Sequence, residues 1–240
     1  TIQLERPVVL GGMPGTPYRE VGHYLASLTG LSILDLDRWL EHQVGKSLWD
    51  FVQSEGEEVL RQKEFEYLDR ALVAQPRGLI IVSEGTLAQA ANRRKISESA
   101  GLAYLSSAPT VTYWHVRQQI SERGPRYHPH VPQPLTHFDV LRPLFEELDR
   151  AQEDADLVLA MDNRSVQDAV DVIFDALPGL HTARSEDMRS NFAGAGSGPW
   201  GGDQRTTSGS AEGSAEVTGR AGMRAPPHAT GRESPPSGWS

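Results

Sequence analysis

The segment PVVLGGMPGTPYREVG, residues 7–22, joins an apolar run to a glycine-rich turn and then to an amphipathic stretch in which Val21 and Leu25 recur at helical spacing. A strand, a glycine-rich loop and a helix in this order can bind phosphate, because the loop and the helix N-terminus present backbone N–H groups. This segment has no lysine, however, and Pro14 and Pro17 have no N–H to donate. The segment therefore predicts the remnant of a phosphate-binding loop.

Four further apolar runs of strand length follow, and helical patterns lie between them. Continuous apolar runs are typical of parallel strands buried on both faces, and alternation with helices indicates βαβ units. We therefore predict a three-layer α/β/α fold with a five-stranded parallel sheet, and a ligand beyond the carboxyl ends of its strands. Ser54 and Glu57 are spaced as a capping box for a long helix that includes Leu60 and Leu68. The four runs are LSILDLD (31–37), GLIIVSEG (78–85), GLAYLSS (101–107) and ADLVLAMD (155–162).

The composition narrows the possible partners and locations. The 240 residues carry a formal net charge of −9 and no cysteine. Disulfides and thiolate metal sites are excluded, and the negative charge argues against nucleic acid binding through a broad basic face. No apolar run approaches the roughly 20 residues of a membrane span, so no membrane partner is expected. We expect a cytoplasmic protein, and because the first residue is Thr1, a fused N-terminal domain is also considered.

The last sixty residues differ from the rest. Residues 181–240 contain no leucine and no isoleucine, and small and polar residues dominate them. Such a segment buries too little apolar area to offset the entropy of ordering it. The sequence predicts one domain over residues 1–180 and a disordered, low-complexity tail over residues 181–240, with Trp200 or Trp239 as the alternative basis of a docking segment.

An ordered series of motifs gives the chain a family resemblance. The stretch 34–64 contains a D-x-D pair and the GEEVLRQKE sequence, and NRRKI (92–96), YLSSAPTV (104–111) and ADLVLAMDNRSVQDAVDVIFDAL (155–177) follow in order. Together they resemble the shikimate kinases, small P-loop enzymes with the nucleoside monophosphate kinase fold. The resemblance implies P-loop kinase topology, and it implies ATP and Mg²⁺ as cofactors if activity is retained.

The resemblance also implies site residues. Asp37 would meet the substrate hydroxyls as the catalytic carboxylate, and Asp35 would lie near Mg²⁺. Arg61, with Glu64 as its companion, would bind the substrate carboxylate, because a planar guanidinium suits a planar anion. The remaining expected residues are Gly85 and Arg150 for the substrate, and Gly11, Gly15, Arg19 and Arg126 for the nucleotide, with Arg123 as an alternative to Arg126 in the lid.

The sequence departs from the family pattern where the chemistry would occur. Tyr18 or Pro17 falls at the position of the P-loop lysine, depending on register, and Arg19 or Tyr18 at that of the metal-binding hydroxyl. The glycine triplet after the third strand reads Ser83-Glu84-Gly85. Glu84 would oppose an anionic substrate if it faced the site, whereas it would have no effect if it turned to solvent.

Three histidines lie in the proline-rich segment that replaces the family's lid. His128, His130 and His137 have a spacing that could supply metal ligands, but loop histidines are more often solvated. We therefore expect a solvated, mobile loop.

Three functions remain open on these grounds. The damaged phosphate loop, the altered triplet and the displaced Arg150 favour a non-catalytic or severely impaired member of the family. The retained Asp35, Asp37 and Arg61 keep open an active ATP-dependent kinase for shikimate or a related hydroxylated carboxylate. The third possibility is a regulatory module that senses a small anionic metabolite.

Overall fold

The computed structural model describes residues 2–180 and contains one five-stranded sheet. All strand pairs are parallel, and the spatial order is β2-β3-β1-β4-β5. The predicted five-stranded parallel sheet is therefore confirmed. The strands are β1 (Val8–Gly12), β2 (Ile33–Asp35), β3 (Leu79–Ile81), β4 (Gly101–Ser106) and β5 (Leu157–Ala160).

Helices connect the strands. Residues 124–137 form a largely irregular segment after α7, which we call the lid segment; it contains the 3₁₀ turn Pro125–Tyr127, and a second 3₁₀ turn, Phe138–Leu141, follows it. The helices are α1 (Tyr18–Thr29), α2 (Leu36–Val44), α3 (Leu48–Glu55), α4 (Glu57–Ala74), α5 (Glu84–Ala88), α6 (Ala90–Ser99), α7 (Pro109–Arg123), α8 (Arg142–Asp154) and α9 (Val166–Leu180).

Successive side chains of the strands divide the core into two layers. Val8 and Leu10 of β1 pack with residues of α1 and α9 on one face of the sheet. Val9 packs on the other face, with residues of α4, α6 and α8. Because neighbouring residues of a strand point to opposite faces, a fully apolar strand can fill both layers at once. The three-layer α/β/α prediction is confirmed.

Two local predictions were wrong. The strand expected over residues 31–37 ends at Asp35, because the Asp35 side chain accepts a hydrogen bond from the N–H of Arg38 and caps α2. The capping box at Ser54 is absent, since Ser54 lies inside α3 and Gly56, with φ 92°, precedes α4. A glycine with positive φ allows the sharp turn between two nearly contiguous helices.

Two further predictions concern the C-terminal tail and membrane-spanning helices. The tail predicted over residues 181–240 lies outside the described residues, so the domain division at 180/181 stays a prediction. Between residues 2 and 180, no helix is both long and apolar enough to cross a membrane.

Gly12 offers a test of the close contact between β1 and β4. A Cβ added to Gly12 would lie 2.2 Å from the backbone oxygen of Leu105, which also accepts the N–H of Met13 at 2.9 Å. Gly12→Ala should therefore lower the free energy of unfolding by about 1–3 kcal/mol, as overpacking of a core does. Urea unfolding monitored by circular dichroism measures this change, and an unaltered unfolding midpoint would show that β1 and β4 can separate without cost.

Candidate functional site

The candidate site lies where the carboxyl ends of β1, β2 and β3 meet the lid segment. Asp35 is the last residue of β2, Asp37 lies in the first turn of α2, and Glu84 begins α5 just after β3. Arg19 reaches the same place from the first turn of α1. The fold therefore brings together residues that the sequence separates widely, at the edge where ligands bind in parallel sheets.

The loop between β1 and α1 has few backbone donors left for an anion. The N–H of Met13 donates to Leu105 at 2.9 Å, and the N–H of Thr16 donates back to the Met13 oxygen at 3.1 Å. The Thr16 hydroxyl donates to the same oxygen at 2.7 Å. Pro14 and Pro17 have no N–H. Among residues 13 to 17, only the N–H of Gly15 therefore remains available to an anion. We call this arrangement, in which the loop's own oxygens and Leu105 accept its donors, a closed loop.

Arg19 binds two carboxylates of the neighbouring strand end. Its Nη1 donates to Asp35 and its Nη2 donates to Asp37 Oδ2 at 2.7 Å. Both carboxylates are buried, whereas 31% of the Arg19 side chain is exposed. A guanidinium can bridge two carboxylates in this way because it presents several donors in a plane. The arginine predicted to bind nucleotide is therefore engaged with the two predicted acidic site residues.

His130 of the lid segment inserts between two buried carboxylates. Its Nε2 lies 3.4 Å from Asp37 Oδ2 and 3.1 Å from Ser83 Oγ, and its Nδ1 lies 3.6 Å from Glu64 Oε1. A Cβ added to Gly85 would lie only 2.2 Å from His130 Nδ1, so the ring covers the face of Gly85. The imidazole thus occupies the place that the resemblance assigns to a substrate.

The two carboxylates next to His130 are held by further donors. Ser83 Oγ donates to Asp37 Oδ1 at 3.0 Å. Thr86 Oγ1 donates to Glu64 Oε1 at 3.2 Å, and Gln89 Nε2 donates to Glu64 Oε2 at 2.7 Å. These donors fix the carboxylate planes and offset part of the cost of burying them.

Glu84 is buried, so the alternative in which it turns to solvent is wrong. Its Oε2 accepts a hydrogen bond from the hydroxyl of Tyr18 at 3.1 Å, and its Oε1 lies 4.0 Å from Nδ1 of His128. His128 is itself buried and is 2.8 Å from Gln119 through its Nε2. The glutamate at the middle position of the glycine triplet therefore adds a fourth carboxylate to the site, beside Asp35, Asp37 and Glu64.

The pKa values follow from this burial and pairing. Burial opposes the charge on His130, but Glu64, Asp37 and Glu84 outweigh it and raise the pKa of His130 to about 10. Burial likewise opposes the charge on Asp37, yet His130 and Arg19 together hold the pKa of Asp37 below its usual range. For Glu64 burial dominates and raises the pKa to about 7, although His130 acts against it. The site is therefore an imidazolium held by an ionised aspartate and a glutamate that titrates near neutrality.

A cavity of about 210 Å³ remains beside these groups. It is bounded by the loop residues Gly15 to Arg19 on one side and by α7 and the lid segment on the other. Arg123 of α7 lines it, with its guanidinium 4.6 Å from the ring centroid of Tyr127. The cavity is small for a nucleotide, since sites for drug-sized ligands are usually ~300 Å³ or larger.

The other predicted arginines of the site are paired with carboxylates outside this cluster. Arg61 donates to Glu57 of its own helix, and Arg150 donates to Glu147 of its own helix at 2.7 Å. Arg126 donates to Asp50 of α3 at 2.9 Å. Their roles in ligand binding stay predictions.

Two glycines of the predicted nucleotide loop have structural reasons to be glycine. Gly15 has φ 80°, and a Cβ on Gly11 would lie 2.6 Å from a methyl carbon of Leu87. Positive φ and close packing both favour glycine over other residues. Their roles in nucleotide binding likewise stay predictions.

Sequence reasoning missed the role of the lid histidines. Only His137 is exposed, whereas the side chains of His128 and His130 are buried, so the expectation of solvated loop histidines was wrong for two of the three. Two features of the sequence point to these histidines. They flank Pro129 at close spacing, and a glutamate stands at position 84, which needs a cationic partner if it is buried.

A metal is the other occupant that these residues could accept. Asp37, Glu64 and His130 each offer one ligand atom within 4.8 Å of the others, and residues 2–180 contain no other such group of three or more. The two ring nitrogens of His130, however, face different carboxylates. That arrangement fits an imidazolium with two N–H donors better than a ring that gives a lone pair to a shared ion.

Comparisons with known proteins find similarity to one family. A family profile described as "Shikimate kinase" matches residues 15–178. The shikimate kinase of Symbiobacterium thermophilum is 29% identical over 174 residues, which cover 71% of this chain and 95% of that protein. The shikimate kinase of Xanthomonas campestris pv. campestris is 32% identical over 164 residues, 68% of this chain and 86% of that protein.

Solved structures agree at the level of the fold. A shikimate kinase from Acinetobacter baumannii in complex with shikimate aligns with a TM-score of 0.62 at 21% identity, over 72% of this chain and 93% of that one. The shikimate kinase of Aquifex aeolicus aligns with a TM-score of 0.60 at 20% identity, over 72% of this chain and 96% of that one.

Proposed function

The chain belongs to the shikimate kinase family, and from that premise we propose that it is a member that does not transfer phosphate. The observation that carries the proposal is the loop between β1 and α1. Phosphoryl transfer depends on positioning the phosphates and neutralising their charge, which in P-loop enzymes falls to loop N–H groups, a lysine and Mg²⁺. Here the N–H groups of Met13 and Thr16 are committed, Pro14 and Pro17 have none, and the lysine is absent.

The residues present do not fit the ATP and Mg²⁺ that the family implies. Asp35, expected near the metal, accepts hydrogen bonds from Arg19 and from the N–H of Arg38. The Arg19 guanidinium already neutralises the Asp35 carboxylate and would repel a second cation next to it. A magnesium ion also needs several oxygen ligands, and Tyr18 or Arg19, which falls at the position of the metal-binding hydroxyl, supplies no serine or threonine hydroxyl.

The substrate side supports the same proposal. Asp37, the expected catalytic carboxylate, is enclosed by Arg19, Ser83 and His130. A general base must lie within hydrogen-bonding reach of the hydroxyl it serves. His130 lies beside Asp37, and the space left for a substrate hydroxyl is the small cavity that Asp37 lines.

One observation favours the alternative of an active kinase. Arg19 is a cation in the first turn of α1, lines the cavity and is partly exposed. If it exchanged its carboxylates for phosphate oxygens, it would supply some of the charge that the missing lysine supplies elsewhere. The cytoplasmic location, the anionic metabolite and the fused N-terminal domain considered from the sequence stay predictions.

Nucleotide binding by the full chain tests the proposal. Thermal unfolding is followed while ATP with excess Mg²⁺ is added, since a ligand at ~100 times its Kd stabilises a protein by ~2.7 kcal/mol. We expect no saturable rise in Tm. A rise that saturates would contradict the proposal.

The variant Arg19→Gln is the matched control for that experiment. If the wild type binds ATP and the variant does not, Arg19 has replaced the lysine in nucleotide binding, which the active-kinase alternative requires. If neither binds, the closed loop explains the result in both proteins.

A further inference from the structure

The substrate side of the site has an unusual charge balance. The buried acidic cluster consists of Asp35, Asp37, Glu64 and Glu84, and the two arginines paired with it, Arg19 and the largely exposed Arg38, reach only Asp35 and Asp37. Arg19 is shared between Asp35 and Asp37, so its charge does not reach far into the rest of the cluster. Buried carboxylates are costly without cationic partners, and the cluster therefore needs another positive group.

His130 supplies that group with a geometry that matches the site on both sides. One ring nitrogen faces Asp37 and Ser83, and the other faces Glu64. The flat face of the ring covers Gly85, where a side chain would collide with it. The site therefore suits a flat group with two N–H donors that point to different carboxylates.

The arginines expected to bind an anion on the same side are engaged by other groups. The two arginines expected to bind a substrate carboxylate, Arg61 and Arg150, are each paired with a glutamate of their own helix. Glu84 adds a negative charge where the family pattern has glycine. A carboxylate entering this site would meet carboxylates, which repel it.

We propose that the pocket formed by Asp37, Glu64, Glu84 and Gly85 binds a small, flat organic cation of the imidazolium or guanidinium class, and that His130 is the chain's own occupant of that pocket. The free protein holds its lid segment in place through this internal ligand. A diffusible cation would have to displace His130, or use the pocket when the lid segment has moved away.

This inference goes beyond the loss of phosphoryl transfer, because it concerns the substrate side and uses no nucleotide. The proposed ligand is a cation, whereas the sequence predicts a small anionic metabolite. A negative result for the cation pocket would not bear on the closed phosphate loop, and ATP binding would not bear on the cation pocket. The two experiments therefore test the two proposals independently.

The test removes the internal occupant and offers a free one. His130→Ala leaves a hole of the size of the lost ring, and imidazolium chloride is titrated into it at about pH 6, where the probe is largely protonated. We expect the Tm of His130→Ala to rise saturably with imidazolium. The variant should bind imidazolium at least about tenfold more tightly than the wild type, in which His130 occupies the pocket; tenfold corresponds to about 1.4 kcal/mol of binding free energy. Sodium chloride at equal concentration corrects for ionic strength.

His137→Ala is the matched control, because His137 lies in the same segment and is exposed. It should respond to imidazolium as the wild type does. Sodium shikimate serves as the anionic probe and should stabilise neither the wild type nor His130→Ala.

Three results would overturn the proposal. The first is a folded His130→Ala that does not respond to imidazolium. The second is a His130→Ala that shikimate stabilises more than imidazolium does. The third is a wild-type protein that Zn²⁺ stabilises and whose response disappears in His130→Ala, because this would make the three groups metal ligands instead.

If His130→Ala does not fold alone, its refolding yield is measured with imidazolium chloride and with sodium chloride. Recovery with imidazolium only supports the proposal, because the free cation then replaces the missing side chain. Equal yields in the two salts overturn it.

Discussion

Asp37→Asn is expected to lower the free energy of unfolding by about 3–5 kcal/mol, as removal of one member of a buried ion pair does. Asparagine keeps the size of the side chain and can still accept from Ser83, so the loss comes from the charge. It leaves His130 beside one carboxylate instead of two and frees one end of Arg19. Urea unfolding at neutral pH measures the effect.

Asp50→Asn is the matched control for this experiment. Asp50 is also ion-paired, with Arg126, but 40% of the Asp50 side chain and 67% of the Arg126 side chain are exposed. Exposed pairs contribute little, about 0–1 kcal/mol. If the two variants lose the same small amount, the cluster around His130 does not stabilise the fold and this part of the account is wrong.

The same substitution separates a structural role from a catalytic one. In an active kinase, a carboxylate that binds the substrate is left without a full set of partners in the free enzyme. Its substitution then lowers activity more than it lowers the free energy of unfolding. Here Asp37 is expected to be costly for stability because the protein's own groups satisfy it.

The contribution of His130 to stability is expected to disappear with rising pH. The folded pKa of His130 is about 10, above its ordinary value of 6.5. A group whose pKa is raised by folding stabilises the protein fully below its ordinary pKa, and this contribution is lost as the pH rises through the folded value. The stability difference between the wild type and His130→Gln should therefore be largest below pH 6.5 and should shrink toward pH 10.

The two neighbouring carboxyl groups modify the profile at its lower end. Asp37 has a lowered pKa, so its contribution is present above its ordinary pKa of 3.8 and is lost as the pH falls further. Glu64 has its pKa raised from 4.5 to about 7, so its ionisation disfavours the folded state increasingly between these values. The wild-type protein should be most stable in mildly acidic solution.

Unfolding curves across this pH range provide the measurement. We expect His130→Gln to cost about 3 kcal/mol at the acidic end, in the range for breaking a buried pair. His137→Gln, at an exposed position of the lid segment, should follow the wild type throughout. A constant difference between wild type and His130→Gln would mean that the imidazole is neutral in the folded protein.

The fold could be predicted from local features of the sequence. Runs such as residues 7–11 and 101–107 are apolar on consecutive positions because both faces of the inner strands are buried. The ends of elements were less predictable. Asp35 ends β2 because its side chain caps α2, and Gly56 ends α3 because it adopts a positive φ. Neither effect changes the apolar pattern from which the elements were predicted.

The prediction of a degenerate phosphate loop rests on Pro14, Pro17 and the missing lysine, which are visible in the sequence, and it stays a prediction. The occupancy of the substrate side could not be predicted. His130 and Asp37 are 93 residues apart, and their contact depends on where the lid segment folds back. Composition and periodicity carry no information on such a contact, whereas a buried acid at Glu84 was a partial indication of it.

Phosphorylation of shikimate by the purified full chain, with ATP and Mg²⁺ present, decides whether the chain transfers phosphate. The shikimate kinase of Symbiobacterium thermophilum, assayed in parallel, provides the positive control. We expect this chain to form no more shikimate phosphate than a reaction without protein. Product that accumulates in proportion to the amount of chain would show that the chain is an active kinase, and its loss in Arg19→Gln would identify Arg19 as the phosphate-binding cation.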